Sequence, residues 1–150
     1  MCAANYCCHD ETFENFHLLE AQKMVFAYED SPSLMIGAYD ILAGNVHGIE
    51  IVRDAFQTGK GVDYGNFHPC VFQGTARFFK PSYKSNLIQK WMPKIPEAEQ
   101  LVQQGGKLCD VGGGKGLSTV LLASEYKTAS FVDMISMEHR SMKLIQRQSF

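Results

Sequence analysis

The residues of this chain best suited to ligand chemistry lie in Asp110-Val111-Gly112-Gly113-Gly114-Lys115-Gly116, one acid followed two residues later by a cluster of four glycines. Without β-carbons the backbone can approach a ligand closely, and a helix that starts just past such a turn aims its free N–H groups at it. The spacing is not the dinucleotide fingerprint G-x-G-x-x-G, because Leu117 stands where the last glycine belongs. Nor is it a phosphate loop, since Lys115 is not embedded in G-x-x-x-x-G-K-[ST]. Asp110 is the distinguishing mark, and a second acid, Asp133, closes the next apolar run. Away from this turn, His68 is the candidate general base by residue type and loop position, with Tyr64 and Phe72 as candidate walls of a substrate pocket. Cys7, Cys8 and His9 stand together, but adjacent cysteines rarely close a tetrahedral metal set and no second cluster answers them, so no metal site is expected.

These residues need elements to position them. The run 107–111 reads as a strand feeding the turn, 117–126 as the following helix, and Ala129-Ser130-Phe131-Val132-Asp133 as a second strand. Upstream, residues 12–18 alternate as a short strand, and 19–28 suit a helix. Ser31 with Pro32 predicts a second helix start, carried by Leu34, Ala38, Ile41 and Leu42 on one face. Ile49, Val52 and Phe56 mark another amphipathic helix ended by Gly59. Segments 69–79 and 81–91 are expected to be two helices separated at Pro81, and Pro96 begins a last one that ends at Gly105-Gly106. The tail 138–148 has the pattern of an amphipathic helix. The fold class is therefore α/β: a mainly helical region over 1–105, then the start of a β-α-β sheet over 106–150.

With 150 residues, 45% hydrophobic and 20% charged, the chain can bury a core. Its 14 basic and 16 acidic side chains are nearly balanced and unclustered, which gives no electrostatic case for nucleic acid or an anionic membrane. Five cysteines, an odd count without C-x-x-C spacing, fit a reducing cytoplasm better than a disulfide framework. No apolar stretch approaches the roughly 18 residues of a membrane span.

The stretch from Asp110 to Gly116 resembles the first motif of class I S-adenosylmethionine-dependent methyltransferases, in which an acid ends the first strand and G-x-G follows. Glu29-Asp30-Ser31-Pro32, the run 56–62, the stretch 72–83 and Trp91-Met92-Pro93 are similar to a subgroup of small-molecule methyltransferases with a winged-helix-like N-terminal region joined to a Rossmann-like domain. The match covers about residues 18–132. It implies S-adenosyl-L-methionine as cofactor, held by Asp110, Gly112, Gly113, Gly114 and Asp133, the last at the ribose hydroxyls. It also implies a small-molecule methyl acceptor as partner, and a homodimer built on the helical region. Two departures stand out: the family's segment before the first strand is missing, and after Val132 this chain has Asp133 directly where the family places glycine and an aromatic first. The chain is thus expected to be a fragment truncated at both ends and inactive alone, because two strands would leave a parallel edge unpaired. The alternative expectation is a non-catalytic remnant that serves dimerisation or partner binding.

Overall fold

A computed structural model describes residues 4–12, 14–137 and 141–147. It opens with a small antiparallel pair, β1 (Cys8–Asp10) and β2 (Asn15–His17), in which His9 faces Phe16. The helical region follows: α1 (Glu20–Phe26), α2 (Ile36–His47), α3 (Ile49–Thr58), a 3-10 turn at Tyr64–Asn66, and α4 (Pro69–Asn86). A π-helical stretch at Leu87–Trp91 and a 3-10 turn at Met92–Lys94 lead into α5 (Pro96–Gln103). Then come β3 (Lys107–Val111), α6 (Leu117–Glu125), β4 (Ser130–Met137) and β5 (Ser141–Arg147), with the sheet order β3-β4-β5. The chain is a mixed α/β fold. Among the described residues no helix is long and apolar enough to cross a membrane.

Several boundaries follow from local chemistry. Gly59, at φ 70°, ends α3 and donates its N–H to the Ala55 carbonyl at 2.8 Å, the left-handed cap that glycine permits. Pro96 opens α5, where its missing N–H costs no helical bond. Ser31 does not cap a helix at Pro32; its hydroxyl accepts the Ser33 N–H at 3.2 Å in a local turn, and α2 starts at Ile36. The two helices expected around Pro81 are one. Proline inside a helix costs about 3 kcal/mol, yet α4 continues through a buried Pro81, after a stretch from Val71 to Phe78 that is packed against α2, and the irregularity falls later, at Leu87–Trp91.

The tail is the larger correction. Residues 141–147 form no helix; they pair antiparallel with β4, Met137 opposite Ser141 and Phe131 opposite Arg147. An isolated helix of that length is marginal in water, whereas a strand beside β4 satisfies the ladder groups of an otherwise bare edge. The described sheet therefore has three strands, with β3 at one edge.

The main core consists of Met92, Val102, Leu122, Ala129 and Phe131, with Leu87, Ile88, Ala98, Leu108 and Tyr126 packed around it. Val102 and Phe131 are fully buried. The π-helical stretch and α5 thus share one core with β3, α6 and β4, on both sides of residue 105.

A second contact orders the helices. An added β-carbon on Gly37 of α2 would stand 2.6 Å from the Gly74 carbonyl oxygen of α4, and one on Gly74 would stand 2.6 Å from the Ile41 nitrogen. One on Gly44 would meet Val71. The two backbones touch without side chains between them, an approach that brings Cα–H and carbonyl groups together. Outside this contact Arg77 of α4 pairs with Glu29, and Lys84 Nζ lies 2.6 Å from Asp30. Hydrogen bonds from Arg77 and Lys84 hold the Glu29 and Asp30 carboxyls below their ordinary range. Replacing Gly74 with alanine is expected to push the helices apart and cost about 1–3 kcal/mol, seen as a melting midpoint several degrees lower. Gly65→Ala, at a residue with open space around it, should leave the melt unchanged.

Candidate functional site

The parallel ladder sets Leu108 against Phe131, Cys109 against Val132 and Asp110 against Asp133. Two carboxylates therefore lie level on neighbouring strands, at the end where β3 gives way to the glycine turn. The Gly112 N–H adds one more rung, bonding the Met134 carbonyl at 2.8 Å. Gly112, Gly114 and Gly116 have φ of 80°, 59° and 71°, values that side-chain-bearing residues rarely hold. Gly116 closes the turn by donating to the Gly113 carbonyl at 2.8 Å, and α6 starts at the next residue.

Gly113 is needed for space. A β-carbon there would stand 2.2 Å from Asp133 Oδ1 and 3.0 Å from Asp110 Oδ2, so both carboxylates face the underside of the turn. Asp133 is fully buried, whereas Asp110 is half-buried. Two hydroxyls from the first turn of α6 complete the group. Ser118 Oγ donates to Asp110 Oδ2 at 2.5 Å, and Thr119 Oγ1 donates to Asp133 Oδ1 at 2.8 Å while lying 3.4 Å from Asp110 Oδ2. Gly116 offers no side-chain cap to α6, and the amides of that first turn have no intrahelical carbonyl to bond. Their partial positive charge favours the acids beside them.

One oxygen stands apart. Asp133 Oδ2 is buried and has no hydrogen-bond partner. Leaving a buried acceptor unpaired costs about 1–3 kcal/mol, more when it is charged. The arrangement as a whole can accept hydrogen bonds from a neutral donor and attract a cation, but it offers no nucleophile and no set of metal ligands. Among the described residues no group of three or more His, Cys, Asp or Glu is arranged to hold a metal ion.

The other residues singled out from the sequence form a separate group. Tyr64 and Phe72 meet edge to face with ring centroids 5.0 Å apart, and Tyr64 is 6.2 Å from Phe67. His68 caps α4, its Nδ1 accepting the Cys70 N–H at 3.3 Å, and its ring stacks on His47 at 4.5 Å. A helix of 18 residues is roughly 27 Å long. His68 is at its start, and its far end runs into the π-helical stretch whose Leu87 and Ile88 pack on the main core. The structure thus brings Asp110, Gly112, Gly113, Gly114 and Asp133 together, and places Tyr64, Phe72 and His68 around the start of α4. Ser118 and Thr119 are the site residues the sequence reading missed. The signal was present as two hydroxyl residues in the first turn of the helix after a glycine turn, but which acids they bond depends on the strand register.

No protein-family model matches the chain, and no curated protein matches it.

Gly113→Ala is expected to drive its β-carbon into the Asp133 carboxylate and destabilise the fold by about 1–3 kcal/mol, measured by denaturant unfolding. Combined with Asp133→Ala, which removes the clashing oxygen, the two losses should fall short of their sum, the mark of a direct contact.

Proposed function

We propose that the chain is an S-adenosylmethionine-dependent methyltransferase, or a part of one, whose β3-α6-β4 unit is the start of a Rossmann-like cofactor domain. The single observation that carries this reading is the orphaned, buried Asp133 Oδ2 beside a glycine turn with three positive-φ residues. A ligand that brings a hydroxyl donor to the turn satisfies that oxygen, and two level carboxylates favour a ligand that also carries positive charge. S-adenosylmethionine has both, in its ribose hydroxyls and its sulfonium and amino groups. The residues present fit it: Asp133 and Asp110 as acceptors, Gly112 to Gly114 as the close-approaching backbone. The bound cofactor supplies an already activated methyl group, so the protein's work is to hold it and to orient an acceptor.

His68 stands in this reading as a helix cap first. Its Nδ1 is occupied by the Cys70 amide, and its ring stacks on His47. Tyr64, 61% exposed, pairs with Phe72 in the same separate group, so the acceptor is left to be held by residues nearer the glycine turn. Because β3 has a strand on one side only among the described residues, the chain by itself is expected to bind cofactor without turning over.

Titration of the purified chain with S-adenosylmethionine in a calorimeter tests the proposal. Saturable binding, weakened at least tenfold by Asp133→Asn, supports it; no heat at millimolar cofactor refutes it. A second role is favoured by the apolar residues that α2 and α3 leave in solvent, Leu42 and Val46 with Ile49 and Phe56, each at least 60% exposed. These suit self-association. Light scattering is expected to show a dimer in the wild type and a monomer in Phe56→Glu; a wild-type monomer at high micromolar concentration refutes this role.

A further inference from the structure

We infer that Thr119 is a positioning residue for the cofactor site, fixing which oxygen of Asp133 is left to meet a ligand. This deepens the cofactor reading and rests on it. The Thr119 side chain is 1% exposed and sits between both acids, 2.8 Å from Asp133 Oδ1 and 3.4 Å from Asp110 Oδ2. A hydroxyl has a single proton, so it can serve one carboxylate at a time. The shorter contact gives the proton to Asp133, and Asp110 Oδ2 is supplied by Ser118. The two hydroxyls thus serve two carboxylate oxygens, Asp110 Oδ2 and Asp133 Oδ1, and Asp133 Oδ2 is the buried oxygen left without a partner.

A carboxylate can turn about its own Cβ–Cγ bond, which exchanges its two oxygens. In Asp133 that rotation is opposed from two sides: Thr119 holds Oδ1 by a hydrogen bond, and the Gly113 backbone lies against the same oxygen. Removing the hydroxyl releases one of the two restraints and leaves Oδ1 unsatisfied as well. The carboxylate then has two unpaired oxygens and one restraint on its rotation, and a ligand hydroxyl arriving at the turn no longer meets one prepared acceptor. Ser118 donates to the half-buried Asp110, so its loss should act more weakly on Asp133.

The test compares Thr119→Val, which keeps the shape and removes the hydroxyl, with Thr119→Ser, which restores it. The readout is the calorimetric affinity for S-adenosylhomocysteine and for its 2′-deoxy and 3′-deoxy analogues. In the wild type, removal of the hydroxyl that Asp133 accepts is expected to weaken binding by roughly tenfold or more, as for a hydrogen bond to a charged group. In Thr119→Val that penalty should shrink to under about threefold, and in Thr119→Ser it should return. Equal weakening of all three ligands in Thr119→Val, with the hydroxyl penalty intact, makes Thr119 merely structural and overturns the inference alone. A wild type that binds none of the three overturns the cofactor reading and this inference with it. If Thr119→Val fails to fold, Thr119→Ser and Ser118→Ala supply the comparison: a hydroxyl penalty lost in Ser118→Ala and kept in Thr119→Ser would assign the role to Ser118 and refute it for Thr119.

Discussion

The level pairing of β3 and β4 is the constraint from which the site follows. Side chains alternate across a strand, so a slip of one residue would turn every side chain of β4 to the other face. Phe131, fully buried, would leave the core, and Asp133 would leave the underside of the glycine turn. The burial of Phe131 and the placement of the acid are thus one choice of register. The rung from the Gly112 amide to Met134 pins that register one residue past β3. The turn is consequently held at its first glycine by the ladder and at its last by the start of α6, with Gly113 pressed on the acids between them.

The helical region is organised by a different device. α2 and α4 meet through Gly37, Gly44 and Gly74, where bare backbone replaces interdigitated side chains. The contact spans Val71 to Phe78 of α4, just ahead of the buried Pro81 through which the helix continues.

Most elements were legible from the order of residues. Glycine and proline punctuation located the ends of α3 and the start of α5, and the strand, turn and helix around Asp110 stand where the pattern puts them. What was not legible depended on contacts between distant segments. Pro81 reads locally as a helix break, yet it is buried within an unbroken α4, and its burial depends on segments distant in sequence. The tail has helical periodicity, and only the free edge of β4 makes 141–147 a strand. Within the site, Asp110, Asp133 and the glycines were visible as types and spacing, but Thr119 was not. Its importance comes from the register that sets two acids beside it, and no local pattern encodes that. His68 shows the converse: a residue type suited to acid–base chemistry that the fold uses to cap a helix.

The shared core has a consequence for the order of synthesis. Met92 and Val102 leave the ribosome well before Ala129 and Phe131, the residues that cover them. At 5–20 residues per second the gap between Met92 and Phe131 lasts about 2–8 seconds. For that interval α5 and the π-helical stretch present an uncovered apolar face to solvent. The packing of the helical region is therefore completed only when β4 has been made.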